Sequence, residues 1–249
     1  MNKLAAALIL LSVAATATPA MAVDHTLLNN RIDQTNFLLD DDCSGTLISE
    51  TRILTAAHCL NSHYQTVERE KIDTDGVVKK ETVRIAVPGK AAQFVFAGPM
   101  IESRTDYIYK VIATDKDIDL GLIAVPPQKG PPAPVACTEV TRLDPVYAVG
   151  NSYAILYATV TEGIVSSLNR SYRDLGLDMG DGDAGEHGLV QHSAPIAPGN
   201  SGGALFNDKA ELVGVNVRGG ASGFSLSVPN ADVVSFLNKN GVFVCGGPK

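Results

Sequence analysis

One serine of this chain lies in a glycine-rich segment, residues 197–205 with the sequence APGNSGGAL, directly before an apolar run. Glycines allow backbone conformations that other residues avoid, so the amides of Gly199 and Ser201 can point together at one oxygen atom. A serine hydroxyl beside two such donors is typical of a nucleophile that attacks a carbonyl carbon. The alternative is a plain tight turn, because glycine-rich turns are common and most of them bind nothing.

Two earlier segments supply the other groups that a serine nucleophile needs. His58 follows the apolar run 53–57, whose small residues leave room around an imidazole ring. Asp119 precedes the apolar run 120–125, and a carboxylate beside a buried strand needs a hydrogen-bonding partner. An imidazole is one candidate partner, and His, Asp, Ser is one of the known chain orders of a catalytic triad.

The segments TAAHC at 55–59, DLGLI at 119–123 and GNSGG at 199–203 together resemble the three signature regions of the trypsin-like, chymotrypsin-fold serine proteases. The resemblance covers most of the chain and is closest to the bacterial HtrA-like branch. It implies an all-β fold of two packed six-stranded barrels with the active site between them and a short C-terminal helix, and no cofactor. HtrA-like proteases usually carry a C-terminal PDZ domain, for which we expect no room before Lys249.

The resemblance also implies a role for each residue. Ser201 would attack the carbonyl carbon of a peptide bond, and His58 would take its proton and deliver it to the leaving amine. Asp119 would orient the imidazole; the alternative, Asp117, would put Asp119 where the family has an apolar residue. The amides of Gly199 and Ser201 would form the oxyanion hole. A protein or peptide substrate is the expected partner, and the alternative function is a catalytically silent, protease-like binding or adhesion module.

Asn200 stands where trypsin-like zymogens have an aspartate, which receives a newly freed N-terminal ammonium when the enzyme is activated. An amide cannot supply that charge. The pair Arg31-Ile32 looks like an activation site, but it lies too close to Cys43 to match one. We therefore expect the site to form without N-terminal cleavage beyond removal of a signal peptide.

The substrate pocket is predicted from two segments beside the nucleophile, neither of which holds an acidic residue. A basic side chain at P1, the substrate residue before the cleaved bond, has no partner there. Glutamate-specific relatives have a histidine at the position of Asn216, so a small or medium apolar P1 residue is expected. Arg218 is interpreted as solvated, with an acidic substrate side chain in a nearby subsite as the alternative. The predicted pocket residues are Pro195, Ile196, Ala197, Asn216, Val217, Arg218 and Gly219.

Short strands are predicted to position these groups. Apolar or alternating runs recur between residues 45 and 228, separated by Gly, Pro, Asn and Asp, which is typical of a sandwich or of barrels. The proline-rich segment 126–134 predicts a stiff linker between a first barrel at about 30–125 and a second barrel with its helix at about 135–245. The late helix is predicted from a Pro-Asn start, an apolar face and a closing glycine: Pro229, Asn230, Val233, Val234, Leu237 and Gly241.

The N-terminal residues 1–22 predict a signal peptide, with Lys3, an apolar run at 4–15 and Ala-Met-Ala before the cleavage site. The run is too short to span a bilayer, so we expect a secreted or periplasmic protein with no membrane anchor and a protease domain at 23–249. A formal net charge of −7 disfavours nucleic acid or an anionic membrane as the primary partner. The oligomeric state stays open.

Four cysteines in an exported chain predict two disulfides, with three possible pairings. The family resemblance implies the pairs Cys43–Cys59 and Cys137–Cys245. No metal is expected from the cysteines, because none has the Cys-x-x-Cys spacing of a zinc site. The acidic loop 174–187 raises the hypothesis of a calcium site, but its spacing does not fit an EF-hand and a solvated loop is favoured.

Overall fold

The computed structural model describes residues 24–72, 74, 78–98, 100–172, 188–220 and 223–247. The predicted signal peptide at 1–22 and the acidic loop at 174–187 lie outside the described residues. Within these ranges, neither of the two helices has both the length and the apolar character that a bilayer-spanning helix needs.

The first half of the chain forms a closed barrel of six antiparallel strands. In spatial order the barrel runs β1-β2-β3-β8-β7-β6, so the last strand pairs again with the first. A separate two-stranded sheet, β4 paired with β5, is inserted between the third and the sixth strand. The strands are β1 (Asn36–Leu39), β2 (Cys43–Ser49), β3 (Arg52–Thr55), β4 (Tyr64–Ile72), β5 (Val78–Ala86), β6 (Gly89–Ala97), β7 (Met100–Asp115) and β8 (Leu120–Ala124).

The second half forms another closed six-stranded antiparallel barrel, in the order β10-β11-β14-β13-β12-β9. Two of its strands, β9 and β13, are buried along most of their length. This explains why they appear in the sequence as continuous apolar runs rather than alternating ones. Two six-stranded barrels confirm the predicted all-β fold. The strands are β9 (Pro145–Ser152), β10 (Leu156–Arg170), β11 (Leu189–His192), β12 (Ala204–Phe206), β13 (Leu212–Gly219) and β14 (Ser225–Pro229).

The predicted C-terminal helix is confirmed as α2 (Asn230–Lys239), which starts directly after Pro229. Its buried apolar face contains Val233, Phe236 and Leu237, whereas Val234 is only half-buried. The face therefore follows the spacing i, i+3, i+4 that packs one side of a helix on a core. The chain then leaves the helix through Gly241, whose φ is +78°.

A second helix, α1 (His25–Thr35), was not predicted from the sequence. Its N-terminal cap is Asp24, whose carboxylate accepts a hydrogen bond from the amide of Leu27 at 3.0 Å. Its buried side chains include Leu28 and Ile32, four residues apart on one face. The signal in the sequence was this spacing after an aspartate, and Arg31-Ile32 turns out to be helical.

One apolar cluster joins the two barrels and fixes their relative position. From the first barrel it contains residues of β3 and β8, and from the second barrel residues of β13 and β14. Tightly packed protein interiors have a low compressibility. This shared core therefore holds the two barrels at a fixed separation. Its members include Leu54, Leu120 and Leu122 from the first barrel, and Val215, Leu226 and Val228 from the second.

The proline-rich segment 126–134 connects the barrels and is hydrogen-bonded to both. The amide of Ala133 donates to the carbonyl of Leu47 in the first barrel at 2.8 Å, and the carbonyl of Pro134 accepts from Leu212 in the second at 2.8 Å. The side chain of Arg31 in α1 also donates to the carbonyl of Pro132 at 2.8 Å. The segment therefore ties the two halves together along its length.

Candidate active site

A histidine and an aspartate meet at the end of two paired strands. His58 begins a short 3₁₀-helix (His58–His63) just after β3, and Asp119 directly precedes β8, which pairs with β3. The Nδ1 atom of His58 lies 2.7 Å from Oδ2 of Asp119, and the backbone amide of His58 donates to Oδ1 at 2.9 Å. Both carboxylate oxygens therefore hold the same residue, which fixes the rotation of the imidazole ring.

The alternative carboxylate, Asp117, lies elsewhere. It is exposed, and its backbone amide donates to the side chain of Asp115 at 3.2 Å. Asp119 in contrast is buried and has a φ of +55°, a backbone conformation that a residue other than glycine seldom adopts. Strained conformations of this kind cluster at functional sites.

The electrostatic environment of His58 favours its protonated form. Burial lowers the pKa of the imidazole, but the hydrogen bond to Asp119 and the charge of that carboxylate together outweigh burial, so the pKa is raised above its ordinary value. The charge of Asp42 also raises this pKa, while the charge of Arg218 lowers it. With Nδ1 facing the carboxylate, Nε2 is the nitrogen left to exchange a proton with a reacting group.

Ser201 lies on a turn that docks against the strand end bearing the histidine. Its carbonyl oxygen accepts a hydrogen bond from Ser44 at 2.8 Å and lies 3.6 Å from the sulfur of Cys59, the residue after His58. Its hydroxyl donates to the carbonyl of Val217 at 3.4 Å, and among the described residues it makes no hydrogen bond to His58. Such bonds are often long in unliganded sites and shorten when substrate binds.

Gly202 makes this docking possible. Its φ is +83°, and a Cβ atom on it would collide with the side chain of Thr55, the carbonyl of Ser44 and the amide of Ala56. No side chain fits between the turn and the first barrel at this point. The closeness of Ser201 to the histidine segment therefore depends on a glycine.

Two amides on this turn are available to bind an anion. The N–H groups of Gly199 and Ser201 donate to no protein acceptor among the described residues, although the neighbouring amides of Asn200, Gly202 and Gly203 all do. A pair of unpaired donors around a serine hydroxyl is the arrangement that stabilises the oxyanion of a tetrahedral intermediate.

Both disulfides have the pairing that the family resemblance implied. Cys43 and Cys59 are joined with a Cα separation of 6.0 Å, and Cys137 and Cys245 are joined with a Cα separation of 5.3 Å. The first bond links β2 to the 3₁₀-helix that starts at His58. Among the described residues one group of metal-ligand types lies close together, Cys43, His58 and Cys59, but its two sulfurs are bonded to each other and are not thiolates.

Comparison with known proteins identifies the family. The model of the trypsin-like peptidase domain matches residues 43–215, which is more than half of the chain and includes His58, Asp119 and Ser201. This chain belongs to the trypsin-like peptidase family.

Curated relatives of this chain are serine proteases. The serine protease HTRA3 of Mus musculus is 36% identical over 128 residues, which cover 50% of this chain and 26% of that protein. The probable periplasmic serine endoprotease DegP-like of Marinomonas sp. is 32% identical over 147 residues, covering 56% of this chain and 29% of that protein. The chain thus spans less than a third of the length of these two relatives.

Solved structures share the fold of this chain. The HtrA-type protease AlgWS227A with tripeptide has a TM-score of 0.59 and 20% identity, and the match covers 85% of this chain and 62% of that chain. The serine endoprotease from Yersinia pestis also has a TM-score of 0.59 with 20% identity, covering 90% of this chain and 68% of that chain. At this identity the likeness shows the fold alone.

The predicted pocket residues of this chain fall on two facing segments. Ile196 lies so close to Gly219 that a Cβ on the glycine would collide with the Ile196 carbonyl. Pro195 and Gly219 are exposed, Ile196 and Ala197 are half-buried, and Val217 is buried. Apart from Asn216 and Arg218, the surfaces that this pair of segments offers are therefore small or apolar.

The Asn216 side chain is turned into the second barrel. It is fully buried, and its amide donates to the carbonyls of Val149 at 3.1 Å and Ala204 at 2.9 Å. Its Oδ1 atom accepts from the hydroxyl of Ser227 at 3.0 Å. Both ends of the amide are thus used within the barrel, and the structure does not bring this side chain to the cleft surface.

Arg218 is half-buried rather than fully solvated. Its guanidinium lies over the ring of Tyr172, 5.8 Å from the ring centre, and its charge acts on His58. Burial raises the pKa of the Tyr172 hydroxyl, with a further contribution from the charge of Asp119. The aromatic ring therefore holds the arginine on the side of the site that also contains the His58–Asp119 pair.

Sequence reasoning missed three residues that contact the turn of Ser201. Ser44, Asn151 and Ser152 form hydrogen bonds among themselves or with the segment 198–200. Each lies in a strand far from the turn along the chain, so no local pattern points to them. Only the pairing of β2 and β9 with the turn in three dimensions reveals their contacts.

Proposed function

We propose that this chain is an exported serine endopeptidase, in which Ser201 is the nucleophile, His58 the general base and acid, and Asp119 the residue that orients the imidazole. The observation that carries the proposal is the 2.7 Å contact between His58 Nδ1 and Asp119 Oδ2, next to a turn whose serine has two unpaired amides beside it. The named serine proteases among its relatives support the same activity.

The proposed chemistry has two halves. His58 Nε2 takes the proton of the Ser201 hydroxyl as the oxygen attacks the substrate carbonyl, and the resulting oxyanion binds the amides of Gly199 and Ser201. The imidazolium then gives its proton to the leaving amine, which departs with breaking of the C–N bond. Water repeats the sequence on the acyl-enzyme and releases the carboxylic acid and the free serine.

A peptide substrate with a small or medium apolar P1 side chain fits the proposal. Ile196, Ala197 and Val217 offer apolar surface, and none of the predicted pocket residues is acidic. Two of the fold neighbours were solved with a peptide, one with a tripeptide and one with a decapeptide, which supports a peptide as the substrate class. The two disulfides and the periplasmic relative support export.

The experiment that tests the function is labelling with a fluorophosphonate probe, which phosphonylates an activated serine. We expect the mature wild-type protein to be labelled and Ser201→Ala to lose the label completely. Ser193→Ala, which removes a half-buried hydroxyl that accepts from the amide of Ile164 at 3.0 Å, is the matched control and keeps the label. Absence of label from the wild type as well would contradict the proposal and favour a protease-like binding module.

A further inference from the structure

The peptide unit between Pro198 and Gly199 is held from one side. Its carbonyl oxygen accepts a hydrogen bond of 2.6 Å from the amide of Tyr153, in the tight connection between β9 and β10. Because the peptide bond is trans, the N–H of Gly199 points away from that carbonyl. Fixing the carbonyl on Tyr153 therefore directs the N–H of Gly199 to the opposite side, where it finds no protein acceptor among the described residues.

The next peptide unit is held from the first barrel. The carbonyl of Gly199 accepts a 2.7 Å hydrogen bond from the hydroxyl of Ser44, and that hydroxyl in turn accepts from the backbone amide of Asn151 at 2.8 Å. Gly199 itself has a φ of +93°, and a Cβ atom there would collide with the carbonyl of Asn151. The turn is thus enclosed between β2 and the end of β9.

The side chain of Asn200 lies between the two proposed oxyanion donors along the chain. It is 1% exposed, and its Oδ1 atom accepts a 2.9 Å hydrogen bond from the hydroxyl of Ser152, which is 6% exposed. Any rotation of the turn that withdrew Asn200 would leave both the buried hydroxyl and the buried carbonyl oxygen without a partner. This contact is neutral and lies entirely within the second barrel.

We infer that Ser152 is a positioning residue for the proposed peptidase: its hydrogen bond to Asn200 holds the turn 197–203 in the shape that points the Gly199 and Ser201 amides at the oxyanion. This inference rests on the proposed function. Ser152 touches no reacting atom and acts through Asn200 alone. Both partners of this hydrogen bond are uncharged, and Ser152 belongs to a strand of the second barrel, β9.

The test compares Ser152→Ala with the wild type on one peptide substrate and on the peptide aldehyde of the same sequence. The Ser201 oxygen adds to the aldehyde carbonyl and forms a tetrahedral hemiacetal. The former carbonyl oxygen then accepts hydrogen bonds from the same two amides, those of Gly199 and Ser201. We expect kcat to fall roughly 10- to 100-fold with KM within about twofold, and the affinity for the aldehyde to fall in parallel. If Ser152 had a purely structural role, its loss would not lower kcat and aldehyde affinity while leaving KM unchanged.

Two variants control this comparison. Ser152→Thr keeps the hydroxyl and is expected to recover most of kcat. Thr159→Ala removes a half-buried hydroxyl of the same hairpin, which donates to the carbonyl of Leu156 at 2.8 Å, and is expected to leave kcat and aldehyde affinity unchanged within about twofold. If Ser152→Ala does not fold, Ser152→Cys, with nearly the same shape and a weak donor, is expected to change kcat in the same direction. Unchanged kcat and aldehyde affinity in the Ser152 variants would overturn the inference.

A second readout does not depend on activity. In the Ser201→Ala background, hydrogen–deuterium exchange is followed at the amides of Asn200 and Gly203, which close the turn through 3.0 Å bonds to Ala197 and Asn200. Ser152→Ala is expected to increase their exchange about 10-fold or more, because the turn opens locally. Unchanged exchange overturns the inference even in a protein that hydrolyses nothing, whereas absence of hydrolysis by the wild type contradicts the proposed function alone.

Discussion

Asp119 is the residue on whose orientation the proposed chemistry depends most. Its two carboxylate oxygens contact the ring and the backbone amide of the same histidine, so the ring is held in one tautomer and one rotation. Asp117, two residues earlier, is exposed, and its backbone amide donates to the carboxylate of Asp115 instead. The two residues therefore form a natural matched pair for mutation.

Asp119→Asn is expected to lower kcat/KM by about 10⁴-fold, because an amide cannot hold the required imidazole tautomer or stabilise the imidazolium. Asp117→Asn is expected to stay within about twofold of the wild type. Both are measured with a peptide substrate that has a small apolar P1 residue. Loss of turnover in Asp117→Asn with normal turnover in Asp119→Asn would reverse the assignment.

The same pair of variants has a predicted pH dependence. His58 acts as a base only when neutral, and its pKa is raised above the ordinary value, so kcat/KM of the wild type increases as the pH rises through that elevated pKa. Removing the Asp119 charge removes the larger of the two charges that raise the pKa of His58, while burial and the charge of Arg218 still lower that pKa. The residual activity of Asp119→Asn is therefore expected to have its acidic midpoint at a lower pH than that of Asp117→Asn, and an unchanged midpoint would contradict this cause.

At the scale of the elements, the decisive contact is the one between the turn 197–203 and the ends of β2 and β3. The turn belongs to the second barrel, whereas the histidine follows a strand of the first. At Gly202 the two backbones approach so closely that no Cβ atom fits between them. The disulfide between Cys43 and Cys59 fastens the histidine side of the same contact.

Gly202→Ala is expected to lower the free energy of unfolding by roughly 2–4 kcal/mol, from the strain of an alanine at positive φ and from overpacking against Thr55 and Ser44. Gly241→Ala is the control: its φ of +78° is similar, but nothing lies within 4 Å of the added methyl group. It should cost about 1 kcal/mol. Unfolding in urea measures the free energy of unfolding of both variants. An equal decrease in the two variants would show that the contact between the barrels at Gly202 contributes nothing to stability.

At the scale of the whole molecule, one buried histidine inside the second barrel is expected to limit the pH range in which the fold is stable. His192 is fully buried on β11, and its Nε2 atom lies 3.0 Å from the hydroxyl of Ser227. That hydroxyl donates to Asn216, so it accepts from His192, which is therefore the Nε2–H tautomer. Burial lowers the pKa of His192 from 6.5 to about 4.

The linkage between protonation and folding gives the direction of the effect. Between pH 6.5 and about 4, His192 binds a proton in the unfolded chain but not in the folded one, so the stability falls as the pH falls through this window. The loss reaches up to about 3 kcal/mol at pH 4. His192→Gln should remove this loss, while the contributions of all other titrating groups cancel in the difference between the two proteins. The free energy of unfolding of both proteins is measured in urea between pH 4 and about 7. If it has the same pH dependence in the wild type and in His192→Gln, the prediction is wrong.

Much of the fold could be predicted from the sequence because its signals are local. Short apolar runs between turn residues indicated barrels, and the spacing of Val233 and Leu237 after Pro229 indicated α2. Helix α1 was missed because its buried face is narrow, with Leu28 and Ile32 as its apolar anchors. The motifs around His58, Asp119 and Ser201 indicated the candidate site, since each combines a reactive residue with its own local neighbours.

What the sequence determined by itself is therefore the set of chemical groups and the strands that carry them. The tertiary structure decided which of these groups meet: that Asp119 rather than Asp117 contacts His58, that the amide of Asn216 is used inside the barrel, and that Ser152 supports Asn200. The physical reason is that local patterns fix each strand, whereas the contacts of a side chain depend on the closure of two barrels and on the packing between them. Residues 48 positions apart, such as Ser152 and Asn200, become partners only when that packing is complete.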